Sequence, residues 1–210
     1  ICASTNTVSG ICYMHMDFES STGSWGNNGK GVLSRESDSD GNTYLKIDYS
    51  NPNDTSPKYF DIYSPSTGAY TGTQISGNIE MSFDVQFEGG DADIMFKRRQ
   101  PGIDNIILRI CSKEGNRLMY GTNGGRNYFS NSNGWINSLN TWYTIEIAAN
   151  ITTNSSTAKQ DIKVINKDTG EVVASVTNAN LQNNDSFGNL LEIGGSCTVN
   201  IDNIAIRKIS

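Results

Sequence analysis

Apolar and polar residues alternate with a period of two along much of the chain. The clearest stretch is residues 78–87, where Ile79, Met81, Phe83, Val85 and Phe87 alternate with polar residues. This period is typical of a β-strand with one buried and one solvent-facing side. The same pattern predicts strands at residues 12–18, 43–49, 58–63, 78–87, 93–99, 105–111, 117–120, 141–149, 160–166, 171–177, 189–194 and 198–207.

Short turn motifs separate these strands, and no segment has the period of an amphipathic helix. Examples are Asp40-Gly41-Asn42, Glu88-Gly89-Gly90, Pro101-Gly102 and the run from Lys167 to Gly170. Many short strands joined by short turns predict an all-β fold, a two-sheet antiparallel β-sandwich. A length of 210 residues suits one domain. We expect residues 1–11 to be an irregular leader and residues 12–210 to form a single sandwich.

The charge distribution narrows the choice of partner. The net charge is −6, yet the stretch from Lys97 to Arg126 holds seven basic and two acidic residues. An acidic chain is repelled by nucleic-acid phosphates, which argues against nucleic acid as a partner. A local basic stretch in an acidic chain can instead mark a site for an anionic ligand. The sequence has no apolar run of the roughly 20 residues needed to span a bilayer, so we expect no membrane partner.

The four cysteines are Cys2, Cys12, Cys111 and Cys197, and none forms a CxxC motif. With a single histidine in the chain, a zinc site is not expected. An even number of cysteines in a β-rich chain favours disulfides and an oxidising, extracellular location. We expect Cys2–Cys12 and Cys111–Cys197 as the pairs, with buried free thiols as the alternative.

Several strands leave aromatic or basic residues on the side away from the core. In residues 93–99, for example, Ile94 and Phe96 take the core positions, so Lys97 and Arg99 point outward. Aromatic rings pack on the apolar face of a sugar, and arginine binds carboxylates in a bidentate manner. If these strands share one sheet, their outward residues form a polysaccharide-binding surface. The predicted ligand-binding residues are Tyr59, Tyr63, Lys97, Arg99, Arg109, Arg117 and Trp142.

The two ends of the chain carry the most distinctive motifs. Residues 16–25 begin with Met16-Asp17-Phe18-Glu19 and end with Trp25, and residues 199–206 read Val-Asn-Ile-Asp-Asn-Ile-Ala-Ile. Together they resemble the ends of bacterial β-jelly-roll carbohydrate-binding modules of the kind appended to plant-cell-wall-degrading enzymes. The resemblance implies a jelly roll and a secreted, monomeric binding module within a larger multidomain enzyme.

The resemblance also implies a structural Ca²⁺ ion held between the chain ends. Its predicted ligands are Asp17, Glu19 and Asp202, since calcium prefers carboxylate and carbonyl oxygens. Around Asp202 the apolar positions change from odd to even numbers, which predicts a β-bulge there. The run from Asp38 to Asn42 resembles the start of a calcium loop but lacks its downstream glutamate, so it predicts a hairpin turn.

The sequence therefore predicts a non-catalytic module that binds a plant-cell-wall polysaccharide, with an acidic pectic polymer favoured over a neutral glucan. No strand carries the closely spaced carboxylates that jelly-roll glycosidases use. One alternative is a jelly-roll polysaccharide lyase that uses the basic stretch with Tyr120 or Tyr128. Another is a cell-surface adhesin, because fold alone does not determine function.

Overall fold

The computed structural model describes residues 10–19, 24–27, 32–48, 59–63, 76–100, 103–113, 117–122, 125–129, 139–152, 158–181 and 190–209. These residues form thirteen β-strands and no helix. All strand pairs are antiparallel. The strands are β1 Gly10–Met16, β2 Ser24–Asn27, β3 Val32–Ser37, β4 Thr43–Asp48, β5 Tyr59–Tyr63, β6 Gly77–Gln100, β7 Ile103–Lys113, β8 Arg117–Thr122, β9 Gly125–Tyr128, β10 Trp142–Ile151, β11 Lys159–Asn166, β12 Val172–Asn180 and β13 Leu190–Ile209.

Two long strands, β6 and β13, run side by side through both layers of the structure. At one end, the first layer has the order β12-β11-β10-β6-β13-β4-β3, with β1 beside the last residues of β13. At the other end, β7, β8 and β9 extend the second layer from β6, while β5 and β2 extend it from β13. The predicted all-β jelly-roll sandwich is confirmed.

The layers face each other across one hydrophobic core. The first layer contributes Phe83, Val85, Ile145 and Val164, which are almost completely buried. Leu118 of β8 and Phe129, which follows β9, belong to the same core cluster. The side chain of Gln160 on β11 is also buried, and its Nε2 donates to the Gly121 carbonyl oxygen on β8 at 2.8 Å. This hydrogen bond joins the two layers directly.

The turn predicted at Glu88-Gly89-Gly90 was wrong, because β6 continues through it. Thr198 pairs with Gly89 and Val199 with Phe87, so Glu88 is an extra residue without a partner on β13. Gly90 has a φ of 77°, a value that glycine adopts without steric cost. The glycines therefore allow a bulge and a bend within a single strand. The segments 78–87 and 93–99, which were predicted as two strands, are both part of β6.

The bulge predicted near Asp202 is confirmed. Asp202 pairs with Asp84 and Ala205 with Ser82, so two residues of β13 lie opposite one residue of β6. Asn203 takes up the extra length with a φ of 49°, in a region where asparagine is among the most tolerated residues. The bulge keeps both Ile201 and Ile204 in the core, despite the change of phase between them.

The turn from Asp38 to Asn42 is a hairpin between β3 and β4, as predicted. Asp38 Oδ1 accepts from the backbone N–H groups of Asp40 at 3.0 Å and Asn42 at 2.9 Å. Gly41 provides the positive φ of 85° that closes the turn. Residues 38–42 thus form a turn stabilised by the Asp38 side chain. Aspartate favours such turns because its side chain accepts hydrogen bonds from the backbone two residues on.

The predicted Cys111–Cys197 disulfide was wrong. Cys111 pairs with Asp93 across one edge of β6, whereas Cys197 pairs with Gly90 across the other edge. Their backbones are therefore two strand spacings apart, about 10 Å, and are also offset along the strands. A disulfide needs Cα atoms within about 7 Å. Cys2 lies outside the described residues, so the Cys2–Cys12 pair stays a prediction. Residues 10 and 11 of the predicted leader belong to β1 instead, and residues 1–9 lie outside the described residues.

We expect Gln160→Ala to destabilise the sandwich by about 1–3 kcal/mol, because it leaves the carbonyl oxygen of Gly121 buried without this donor. Urea denaturation measures the change in the free energy of unfolding. The matched control is Lys163→Ala, which removes an exposed side chain from the same strand and should change stability by less than about 0.5 kcal/mol. Equal effects in the two variants would contradict the role assigned to the interlayer hydrogen bond.

Candidate functional site

The outer face of the first layer is polar, in contrast to its core face. On β4, Leu45 and Ile47 are buried in the core, so Tyr44 and Lys46 lie on the other side. Cross-strand pairing places Lys46, Asn200, Gln86 and Trp142 next to one another on four adjacent strands. We call this surface the outer face. Its central residues are Tyr44, Lys46, Asp84, Gln86, Glu88, Trp142, Thr144, Asn200 and Asp202.

Two aromatic rings meet above the middle of the outer face. The ring centroids of Tyr44 and Trp142 are 5.4 Å apart, with an angle of 71° between the ring planes. Their strands, β4 and β10, are separated by β13 and β6, and therefore by about 14 Å. The rings thus reach toward each other over the two strands between them. We call this pair the aromatic platform.

Polar side chains are buried in the strands that the platform spans. Asp84, Asn200 and Asp202 expose 5% or less of their surface, although they lie on the outer face. Asn200 Nδ2 donates to Gln86 Oε1 at 2.6 Å and to Glu88 Oε1 at 2.8 Å. Hydrogen bonds are stronger in a buried environment than in water, so this network fixes the floor of the site.

Both carboxylate oxygens of Asp84 are hydrogen-bonded. Its Oδ1 accepts from the Thr144 hydroxyl at 2.6 Å. Its Oδ2 accepts from Asn203 Nδ2 at 2.8 Å and from the ammonium group of Lys167 at 2.5 Å. The Lys167 Nζ atom also lies 5.7 Å from the Trp142 ring centroid, within the range of a cation–π interaction. The ion pair between Lys167 and Asp84 therefore links the floor to Trp142 of the aromatic platform.

The backbone before Trp142 is also fixed. The Asn140 N–H donates to the Phe87 carbonyl oxygen at 2.9 Å, and Gln86 Nε2 donates to the Asn140 carbonyl oxygen at 2.8 Å. The Lys167 N–H donates to the Trp142 carbonyl oxygen at 2.9 Å. Trp142 therefore projects from a rigid backbone, as a stacking surface for a ligand requires.

Asp202 has an unusual ionisation within this floor. Burial raises its pKa to about 6, helped by the nearby charge of Asp84. The N–H of Asn203, the side chain of Asn42 and the charge of Lys167 act in the opposite direction. Asp202 Oδ1 accepts from the Asn203 N–H at 2.7 Å, and Oδ2 accepts from Asn42 Nδ2 at 3.2 Å. Desolvation is the larger effect, so the carboxylate binds a proton more readily than usual.

A groove continues from the floor along β6, β10 and β13. Its volume is about 560 Å³, and small residues such as Ser82, Ala148 and Ala205 line it. Charged residues also line it, and Arg207 forms an ion pair with Glu80. From Trp142 to Ala148 the groove and platform extend about 20 Å along β10. This length accommodates several sugar residues.

The structure divides the predicted ligand-binding residues between the two layers. Trp142 lies on the outer face of the first layer, as predicted, and is half-buried. The other six lie in second-layer strands, with Tyr59 and Tyr63 on β5, Lys97 and Arg99 on β6, Arg109 on β7 and Arg117 on β8. The four cations thus occupy three consecutive strands. Their side chains, and those of the two tyrosines, lie outside what the structure describes.

Tyr44 and Lys167 belong to this site but were not predicted from the sequence. The alternation of Thr43, Leu45 and Ile47 in the core already places Tyr44 on the outward side of its strand. However, the sequence does not show that β4 and β10 belong to the same layer. Lys167 lies in the turn after β11, where a lysine usually indicates only solvent exposure. Its role follows from the β10–β11 pairing, which brings this turn beside Trp142.

The predicted calcium ligands meet only in part. The Thr43 N–H donates to Glu19 Oε1 at 2.7 Å, and the neighbouring Asn42 binds Asp202, so Glu19 and Asp202 both reach this corner of the hairpin. Asp17 instead accepts from the Glu19 N–H at 3.3 Å. Nowhere in the described part of the chain do three or more His, Cys, Asp or Glu side chains gather as metal ligands.

The nearby carbonyl groups do not supply the missing ligands. Arg35 Nε donates to the Phe18 carbonyl oxygen at 2.7 Å, and Arg35 Nη2 donates to the carbonyl oxygen of Glu19. Calcium takes six to eight oxygen ligands. The groups described here therefore fit a calcium ion poorly in this arrangement, and the calcium site stays a prediction.

Comparisons with known proteins support the fold. No protein-family profile and no curated protein matches the chain. Among solved structures, it resembles the cellulose induced protein Cip1, with a TM-score of 0.59, 15% identity and coverage of 92% of this chain and 96% of that one. The VIP36 exoplasmic/lumenal domain, in a form bound to Ca²⁺ and Man3GlcNAc, gives a TM-score of 0.53, 11% identity and coverage of 93% and 91%.

A sialidase also has a similar fold, with a TM-score of 0.61 and 13% identity over 93% of this chain. The chain spans only 18% of the length of that sialidase. At these identities the comparisons show the fold alone. No helix in the described part of the chain is long and apolar enough to cross a membrane.

The raised pKa of Asp202 predicts a specific pH dependence of stability in chelator-treated protein. A folded-state pKa of about 6, against an ordinary value of 3.8, makes the folded state bind the proton more tightly. The stability contributed by this group is therefore complete below about pH 4 and is lost as the pH rises to about 6. Asp202→Asn removes this loss.

Thermal denaturation of both proteins across this pH range tests the prediction. The melting temperature of Asp202→Asn should rise relative to that of the unsubstituted protein between about pH 4 and pH 6. A difference that stays constant over the range would show that Asp202 titrates normally. Asp168→Asn, at an exposed turn position, is the matched control for the loss of one carboxylate.

Proposed function

We propose that this chain is a non-catalytic carbohydrate-binding module whose outer face binds a polysaccharide. The observation that carries the proposal is the aromatic platform, which lies on a rigid polar floor and continues into a groove. The apolar C–H face of a sugar ring packs on an aromatic side chain, while its hydroxyl groups need nearby polar partners. The similar fold of VIP36, which was solved with a bound mannose-containing glycan, is consistent with this proposal.

The charges of the outer face favour a neutral polysaccharide. Lys46 forms an ion pair with Glu88 at 2.9 Å, and Lys167 forms one with Asp84 at 2.5 Å. Arg207, in the groove, is bound to Glu80. These three cations therefore already have carboxylate partners. The groove also contains Glu146, Asp161 and a further cation, Lys163, so its three acidic residues outnumber its two basic ones. A polyuronate would meet net repulsion on this face.

An acidic, pectic polymer is the second candidate, and it would bind a different surface. The positions of Lys97, Arg99, Arg109 and Arg117 on three consecutive strands of the second layer support it. Arginine and lysine recognise carboxylates well when several lie close together. In either case we propose a plant-cell-wall polysaccharide as partner and an extracellular location, within a larger secreted enzyme.

A catalytic role is less consistent with the outer face. Two of the three carboxylates that line the groove are engaged: Glu80 binds Arg207, and Asp161 Oδ1 accepts from the Asn178 N–H at 2.7 Å. Glycoside hydrolysis needs two carboxylates free to flank the scissile bond. For the lyase alternative, Tyr120 packs against Phe129 beside the hydrophobic core, with ring centroids 4.9 Å apart. The lyase alternative then depends on Tyr128.

We expect Trp142→Ala to weaken binding to a neutral β-glucan or xyloglucan by at least ~10-fold, since loss of one sugar-stacking ring removes a large part of the apolar contact. Affinity electrophoresis against a panel of neutral and acidic polysaccharides, at two salt concentrations, measures this. Binding of the neutral polymer should change little with salt, because stacking involves no charge pair. Binding of a polyuronate should weaken as salt rises, because exposed charge pairs are screened over about 10 Å at 0.1 M.

Two control variants locate the surface. Tyr63→Ala removes an aromatic side chain from β5 of the second layer, and the double variant Arg99→Ala/Arg109→Ala removes two of the second-layer cations. Neither should affect neutral-polymer binding. Salt-sensitive binding of a polyuronate that is lost in the double variant and kept in Trp142→Ala would contradict the outer-face proposal and support the pectic candidate.

A further inference from the structure

At the corner where the resemblance implies calcium, an arginine binds two backbone carbonyls of the segment that carries Glu19. Arg35 projects from β3, and its guanidinium group donates to two successive backbone carbonyls, Phe18 at 2.7 Å and the carbonyl of Glu19. Backbone carbonyls are among the ligands that calcium-binding loops provide. Here the positive group facing them is part of the chain itself.

The backbone around these carbonyls is shaped to present them. Phe18 has a φ of 57°, which is uncommon for a bulky residue, and its side chain is 1% exposed in the core. The buried ring fixes the residue, so the carbonyls of Phe18 and Glu19 keep the orientation that Arg35 requires. A strained conformation of this kind persists only where the surroundings enforce it.

The segment after β1, the β3–β4 hairpin and the β13 bulge meet at this corner. The segment after β1 is bonded to β3 through Arg35 and to the start of β4 through Glu19 and the Thr43 N–H. The hairpin is bonded to the β13 bulge through Asn42 and Asp202. The bulge residue Asn203 in turn bonds Asp84 on β6. The corner thus connects the beginning and end of the chain to the floor of the outer face.

We propose that the Arg35 guanidinium group takes the place of a structural cation at this corner. It provides a positive charge and two directed donors for the backbone carbonyls of Phe18 and Glu19. A guanidinium group is permanently charged, so the corner does not depend on the supply of free calcium. The fold and its ligand site are then stable without a metal ion.

The first experiment compares the melting temperatures of the unsubstituted chain and Arg35→Met, with chelator and with millimolar calcium. The unsubstituted chain should melt at the same temperature in both. Arg35→Met keeps the apolar stem but lacks the donors, so in chelator it should melt about 3–6 °C lower. Arg35 is exposed, so the variant is expected to fold.

Calcium provides the second measurement. In Arg35→Met the carbonyls of Phe18 and Glu19 lose their cationic donor, so millimolar calcium should raise its melting temperature. The matched control is Arg207→Met, which removes an arginine whose partner is a carboxylate, that of Glu80. It should also lower the melting temperature in chelator, but calcium should not restore it.

Three outcomes would overturn the proposal. Chelator could lower the melting temperature of the unsubstituted chain, which would instead support the predicted calcium site. Arg35→Met could melt at the same temperature as the unsubstituted chain in chelator, which would leave the guanidinium without a structural role. Arg35→Met could also respond to calcium no more than Arg207→Met does, which would show that Arg35 does not lie at a cation position.

Discussion

The continuous pairing of β6 with β13 is the constraint on which the rest of the structure depends. The two strands are hydrogen-bonded from the pair Ile79–Lys208 to the pair Lys97–Leu190. Because they extend through both layers, the remaining strands add to their edges at one end or the other. Such distant residues pair only after a long loop has closed, which is costly in chain entropy. This pairing therefore determines which strands become neighbours, and with them the outer face.

Two bulges make this long pairing compatible with both a core and a site. At Glu88 and at Asn203 one strand has an extra residue, so the alternation changes phase without moving apolar residues out of the core. Each bulge also places a polar side chain in the site. Glu88 binds Lys46 and Asn200, and Asn203 binds Asp84 and Asp202. The two bulges in the β6–β13 pairing thus also supply polar residues of the floor beneath the aromatic platform.

The strands and the core followed from local sequence patterns, whereas the site did not. Alternation identified β4, β10 and the first part of β6, and the phase change around Asp202 correctly indicated a bulge. The glycines at 89 and 90 were misinterpreted, because a Gly-Gly pair permits either a chain reversal or a bulge and the local sequence is the same for both. Residues 32–37 lack a clear alternation, so β3 and its arginine were not predicted.

The candidate site depends on strand order, which alternation does not contain. Tyr44 and Trp142 are almost a hundred residues apart in sequence, and they meet only because β13 and β6 lie between their strands. Grouping outward residues by sequence proximity instead joined Trp142 with cations that belong to the second layer. The face to which a side chain points follows from the local sequence of its strand. The strand that lies beside it does not, because strand order depends on residues far away in the sequence.

The buried charges of the floor suggest why the site is kept polar at a cost in stability. Asp84 and Asp202 are paired residues on neighbouring strands, and burial of two carboxylates is unfavourable unless cations and donors compensate them. Lys167, Thr144, Asn42 and Asn203 provide that compensation. The bonds to Asp84 hold Lys167, and through it Trp142, in one position, so the cost in stability yields a pre-organised stacking surface.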